Sequence, residues 1–294
     1  MPRLRSHEMV LSKPDWLKIR LHSDPSFAEV ERIVRNHSLH TICSSGMCPN
    51  KAECWSRKTA SFMLMGDICT RNCRFCATQT GKPLPLEPSE PKMLAESIAL
   101  MGLRHVVVTS VTRDDLPDHG VHHWVEAVRA VRARCSETTI ELLISDMDYR
   151  SDLLGVVVDS GADIVAHNIE CVRRLTPTIR SRASYEGSLK TLKILATAGA
   201  TVKSGLMVGL GESDDEVFET LHDLRDVGVE IVTIGQYLRP TLKHHPVARY
   251  VEPAIFKLYR TRALEMGFSF CASSPLVRSS YMADEALQAI KKKK

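Results

Sequence analysis

From residue 61 onward, short apolar runs alternate with longer amphipathic ones, and this rhythm leaves the chain few folds to adopt. The runs SFMLMG (61–66), HVVVTS (105–110), TIELLI (139–144), DIVAHN (163–168), TVKSGLMVG (201–209) and EIVTIG (230–235) predict six strands. Helical periodicity predicts helices over roughly 91–101, 121–134, 151–160, 184–199, 213–227 and 253–266. Such alternation implies parallel βαβ units with right-handed crossovers, and the unbroken apolar strands suit a sheet covered on its outer face. The expected class is α/β, the sheet curling into a barrel or part of one. Chemistry in such barrels gathers at the C-terminal strand ends. Here those ends are the 67–80 loop, Thr109–Asp115, His167–Glu170, Gly209–Glu212 and Gln236–Pro240.

The barrel unit is expected over 61–268, between an N-terminal extension (1–60) and a C-terminal segment (269–294). In the extension, Phe27, Val30, Ile33 and Val34 recur at helical spacing, with Asp24 or Ser26 as candidate caps. A loop rich in Ser, Gly, Pro and Asn follows.

Cysteine placement points to the chemistry. Of nine cysteines, Cys43, Cys48, Cys54, Cys69, Cys73 and Cys76 fall within 34 residues, while Cys135, Cys171 and Cys271 are scattered. A chain of 294 residues can bury a sizeable core without disulfide staples, so dense local cysteine reads as metal binding. Cys69-Thr-Arg-Asn-Cys73-Arg-Phe75-Cys76 has the spacing C-x3-C-x2-C. Three close thiolates can wrap one face of a [4Fe–4S] cube and leave one iron open to a small molecule. Cys43-Ser-Ser-Gly-Met-Cys48-Pro-Asn-Lys-Ala-Glu-Cys54, C-x4-C-x5-C, offers a second triad. Zinc sites commonly use two C-x2-C pairs, and no second pair is present. The blander reading, buried free thiols, suits Cys271 better than either triad.

The C-x3-C-x-Phe-C arrangement resembles the radical S-adenosylmethionine (SAM) superfamily, whose members bind SAM at the open iron to generate a radical. With C-x4-C-x5-C and the late Arg278-Ser279-Ser280-Tyr281, the chain resembles the lipoyl synthase family over nearly its whole length. Lys13–Lys18, Thr109–Leu116, His167–Glu170, Gly205–Glu212, Gln236–Pro240 and His244–Val247 also look like family segments. The resemblance implies a partial (β/α)6 TIM-like barrel whose two extensions carry an auxiliary cluster. It implies that Cys69, Cys73 and Cys76 hold the SAM-binding [4Fe–4S] cluster. Cys43, Cys48 and Cys54, with Ser280 or alternatively Ser279, hold the auxiliary one. A hydroxyl is a poor partner for soft iron–sulfur, which suits a cluster that must be dismantled. By the same resemblance Phe75, Thr109, Ser110, Asn168, Glu170, Gly205, Met207, Gly209 and Glu212 contact SAM, the glycines letting backbone approach the adenine.

The implied activity is insertion of sulfur at C6 and C8 of an octanoyl group on a lysine of a lipoyl carrier protein. Two SAM are consumed, and the auxiliary cluster is the sulfur donor. The implied partners are the octanoylated carrier, a flavodoxin or ferredoxin reductant, and a protein that rebuilds the spent cluster. Alone, RSSY would read as a turn, and His244 and His245 as solvated loop histidines. Three segments depart from the family pattern: Ser145-Asp-Met-Asp-Tyr149, RSRASYEGS (180–188) and Cys271-Ala-Ser-Ser-Pro275.

Charge bears on the rivals. The net charge of +4 equals the contribution of Lys291–Lys294, and the remaining 35 basic residues balance 35 acidic ones. A neutral body argues against a nucleic-acid surface, and so against a tRNA-acting methylthiotransferase. No apolar run approaches the ~18 residues of a membrane span, and the start lacks a signal-peptide core. The expectation is a cytoplasmic protein. A non-catalytic iron–sulfur electron carrier and a structural zinc protein are the readings from other classes.

Overall fold

The computed structural model describes residues 11–18, 25–37, 39–56 and 60–280. Asp24, the side chain of Ser26, Tyr281 and Lys291–Lys294 lie outside them. A 3-10 turn at Asp15–Leu17 precedes α1 (Pro25–Asn36), β1 (His40–Thr41), α2 (Ile42–Ser45) and α3 (Lys51–Ser56). There follow β2 (Ser61–Leu64), β3 (Ile68–Cys69), β4 (Gln79–Thr80), α4 (Glu90–Met101), β5 (His105–Ser110), α5 (Val121–Arg134) and β6 (Thr139–Leu143). Then come α6 (Ser151–Asp159), β7 (Ile164–Ala166), α7 (Thr176–Ile179), α8 (Tyr185–Thr197), β8 (Val202–Val208) and α9 (Asp214–Asp226). The series ends with β9 (Ile231–Gln236), α10 (Pro253–Glu265) and β10 (Phe270–Ser273).

All six predicted strands and six predicted barrel helices form, with ends shifted by two residues at most. The main sheet runs β1-β2-β5-β6-β7-β8-β9-β10. It is parallel from β2 to β10, while β1 pairs antiparallel with β2. The seventh parallel strand, β10, lies beyond the six expected. Phe270-Cys-Ala-Ser is too short and mixed to announce itself, and it forms because β9 offers an open edge. Thus strands from both flanking segments complete the sheet, and its two ends, β1 and β10, are not paired with each other.

The strands are buried almost throughout because helices cover one face and the site region fills the other. Helix ends are fixed locally: Ser213 and Glu216 make a capping box on α9, and the Ser184 hydroxyl accepts the Gly187 N–H at the start of α8. α1 packs on α3 through the Phe27 and Trp55 rings, 5.2 Å apart, with the Lys51 ammonium over Trp55. Near the strand starts, Lys203 Nζ donates to both carboxylate oxygens of Glu141 at 2.7 and 2.9 Å, both residues fully enclosed. No helix among the described residues is long and apolar enough to cross a membrane.

Candidate active site

A cavity of about 640 Å³ opens at the C-terminal strand ends. Cys43 and Cys48 line it from the N-terminal extension, and Cys69, Cys73 and Cys76 from the loop after β2. Ser279 and Ser280 line it from the C-terminal segment. Cys54 stands half-buried on α3, outside the wall. Seven of the nine residues expected at SAM line the same cavity: Phe75, Thr109, Ser110, Asn168, Glu170, Gly205 and Met207.

Gly209 and Glu212 do not line it. The Glu212 carboxylate accepts the amide N–H of Gly209 at 2.6 Å and of Leu210 at 2.9 Å, so it closes its own turn. Gly209 has φ +97°, and a Cβ there would lie 2.1 Å from Gln236 Nε2. Gly205, in the cavity wall, is packed closely by protein as well. A Cβ on it would meet Asn168 Oδ1 at 2.7 Å and Ser279 Oγ at 3.0 Å. Its missing side chain makes room for the C-terminal segment.

The first cysteine loop is held from several sides. Cys69 Sγ accepts the amide N–H of Arg71 and of Thr112, each at 3.4 Å. Cys73 Sγ lies 3.8 Å from the Ser181 hydroxyl. Burial pushes the Cys76 thiol up, partly offset by the Thr78 hydroxyl and amide, and the Cys73 and Cys69 sulfurs push it the same way. In the other set, burial raises Cys48, the Asn50 amide lowers it, Cys43 raises it and the Arg278 charge lowers it. His244 and His245 are half-buried rather than solvated. His244 Nε2 donates to the Cys76 carbonyl at 3.0 Å, and His245 Nε2 to the Leu210 carbonyl at 3.1 Å.

Arg71, between two cysteines, was not singled out by its spacing, yet it anchors the loop. It is 8% exposed. It grips Asp114 through Nε and Nη2 (2.9 and 2.8 Å) and Asp146 through Nη1 and Nη2 (2.6 and 2.8 Å). Asp146 lies in the segment Ser145–Tyr149, which Arg71 thereby ties to the cysteine loop. The second departing segment meets the first. Arg182 pairs with Asp148 at 2.9 Å, and the Tyr149 ring fills the space a Gly187 side chain would need.

Among the described residues, ligand atoms of Asp114, His119 and Asp148 lie within 4.8 Å of one another, and neither cysteine triad is so compact. Tetrahedral zinc with Zn–S bonds of ~2.3 Å would draw its sulfurs to ~3.8 Å apart. Neither triad is drawn together as one zinc ion would require. The Asp114–His119–Asp148 group is already compensated by Arg71 and Arg182.

Opposite the first loop, Asn168 Nδ2 donates to Ser279 Oγ at 2.7 Å, while Asn168 Oδ1 is buried with no partner among the described residues. Arg180 also lines the cavity, and its buried Nε lacks a partner among the described residues. Arg180 Nη1 donates to Ser188 Oγ at 2.6 Å, so the Ser188 proton turns to His167 Nε2 at 3.1 Å. His167 Nδ1 donates to the Ile144 carbonyl at 3.0 Å. The imidazole is thus held neutral, and burial together with Arg180 brings it down to about 4. Burial raises Glu170, against the pull of Arg180 and the Asn168 side chain. Glu170 has φ +70°, a costly conformation for a non-glycine residue and one that tends to occur at functional sites.

The sequence matches the radical SAM superfamily over residues 63–224. It is 54% identical over 275 residues to the lipoyl synthase of Parabacteroides distasonis, covering 94% of this chain and 98% of that one. Against the lipoyl synthase of Treponema denticola it is 50% identical over 273 residues, covering 93% and 94%. The chain belongs to the lipoyl synthase family. Solved structures carry the fold alone. Methylornithine synthase superposes with TM-score 0.56 at 16% identity, covering 88% of this chain and 85% of that chain. The FeFe-hydrogenase maturase HydG from Carboxydothermus hydrogenoformans gives 0.56 at 13%, covering 90% and 78%. As a lipoyl synthase, the chain is a radical SAM sulfur-inserting enzyme that works with SAM and two [4Fe–4S] clusters. The residues present suit these groups. Two cysteine triads offer thiolates, while the unpartnered Asn168 Oδ1 and Arg180 Nε offer an acceptor for hydroxyls and a donor for a carboxylate.

Proposed function

We propose that this lipoyl synthase acts on an octanoyl group amide-linked to a lysine of a lipoyl carrier protein, inserting sulfur at C6 and C8. In this reading Cys69, Cys73 and Cys76 hold the cluster that binds SAM. Cys43, Cys48 and Cys54, with Ser280, hold the auxiliary cluster. The carrying observation is that cysteines of both sets and both serines of RSSY face one cavity. Ser280 is preferred over Ser279 because Ser279 Oγ already accepts from Asn168.

When bound, SAM and its cluster supply a carbon radical able to take hydrogen from an unactivated C–H bond, and the auxiliary cluster supplies sulfur. The chain's own residues bind and orient. Asn168 and Glu170 would bind the hydroxyls of SAM, Arg180 its carboxylate, Thr109 and Ser110 its amino group, and Phe75 and Met207 its adenine. Met63, Leu143 and Val277 give the cavity apolar surface for an acyl chain and exclude water from the reacting carbons. A flavodoxin or ferredoxin would supply electrons, and a separate carrier would rebuild the spent cluster.

The test is anaerobic reconstitution, iron and sulfide analysis, and incubation with SAM, reductant and an octanoyl-lysyl peptide. About eight irons per chain are expected for two four-iron clusters, along with 5′-deoxyadenosine and thiolated peptide. Deoxyadenosine without sulfur on the peptide would overturn the substrate and keep the superfamily chemistry. Ser280→Ala is expected to cleave SAM but lose sulfur insertion.

A further inference from the structure

The C-terminal segment does more than deliver a ligand. It is fastened at three points to elements far apart in sequence. Asn50, 2% exposed and lying between Cys48 and Cys54, donates Nδ2 to the Leu276 carbonyl at 2.7 Å. Gln236, at the end of β9, donates its amide N–H to the Pro275 carbonyl. Asn168, beyond β7, donates Nδ2 to Ser279 Oγ at 2.7 Å. The seat between these points is cut to backbone dimensions. A Cβ on Gly235 would lie 2.1 Å from the Val277 carbonyl oxygen, and one on Gly205 would strike both Asn168 and Ser279.

Asn168 therefore has two faces. Its amide nitrogen holds the tail residue next to Ser280, and its carbonyl oxygen is buried, unpartnered and set in the cavity wall. We infer that Asn168 and Ser279 form a bridge coupling SAM binding to the placement of Ser280 at the auxiliary cluster. A hydroxyl donated to Oδ1 fixes the amide plane, and the fixed plane aims Nδ2 at Ser279. Placement of Ser279 settles the next residue, and Asn50 of the auxiliary loop holds the same segment at the Leu276 carbonyl. Coupling of this kind is reciprocal: SAM steadies the tail, and the steadied tail tightens SAM. Ser279 and Asn50 are positioning residues here. The inference rests on the assignment of Ser280 to the auxiliary cluster.

The test uses the full-length chain with both clusters assembled, challenged anaerobically with an iron chelator, with and without SAM and without reductant. SAM is expected to slow iron release from the auxiliary cluster about tenfold, within the usual range of such couplings. In Ser279→Ala the protein should still bind SAM, seen as a changed electron-paramagnetic signal of its cluster, but SAM should no longer slow the release. Equal protection in wild type and variant overturns the coupling alone. A wild-type chain that assembles only four irons overturns the site assignment and the coupling with it. Hydrogen exchange on the loaded wild type needs no variant. SAM should slow exchange of the amides in 276–279, and unchanged exchange there overturns the coupling.

Discussion

Arg71 is the residue on which most depends outside the cysteines. Its guanidinium is spent on two carboxylates that are themselves nearly buried, Asp114 and Asp146, through four hydrogen bonds. Burial works against Asp146, but Arg71 brings its carboxyl down to about 2. Removing one partner of such a pair strands the other charge. Arg71→Met is therefore expected to destabilise the chain by about 3–5 kcal/mol. The urea midpoint and the iron retained at the first cluster should fall together. Arg71→Lys keeps the charge but not the fork, and should recover only part of the loss. Retention of full stability in Arg71→Met would sink this account. Nothing in its spacing marks the residue, because a charge inside a cysteine loop ordinarily faces solvent. Only its two distant carboxylates make it a core residue.

At the scale of elements, the sheet and the segment lying on it fit by subtraction of side chains. β8 and β9 each carry a glycine where the C-terminal segment crosses, and Gly235 is the tighter contact. A methyl group there would overlap the Val277 carbonyl, which no side-chain rotamer can relieve because the obstacle is backbone. Gly235→Ala is expected to lift the segment and abolish the auxiliary cluster, leaving the SAM-binding cluster in place. Iron analysis should then read about four per chain rather than eight, with SAM cleavage preserved. Eight irons in the variant would refute the seating. The two departing segments show the same fitting, with Tyr149 packed over Gly187 and Arg182 paired with Asp148.

Across the whole molecule, stability is tied to pH by one enclosed imidazole. His167 titrates at about 4 in the folded chain, mainly through burial and then Arg180, against an ordinary value of 6.5. The unfolded chain thus binds the proton more readily, so stability is greatest above about 6.5 and falls as pH drops toward 4. Between pH 7.5 and 5.5 the loss is expected to be about 1 kcal/mol. Urea unfolding at the two pH values, compared with His167→Asn, measures it. An identical drop in the variant would exclude His167 as the source.

The strand–helix rhythm, the parallel sheet and the two cysteine triads were legible in the sequence, because hydrophobic period and ligand spacing are local properties that a linear chain displays. Membership of the lipoyl synthase family was legible for the same reason, through short motifs with fixed spacing. What only the tertiary structure decided depends on residues meeting across the chain. Asn50 reaches Leu276 over 226 positions, Arg71 finds Asp146, and Ser279 finds Asn168. The turn-closing role of Glu212 and the seat made by Gly205 belong to the same class. Sequence spacing determines which groups can share a metal cluster. The folded path of the backbone decides which distant amide, carboxylate or empty Cβ position each of them meets.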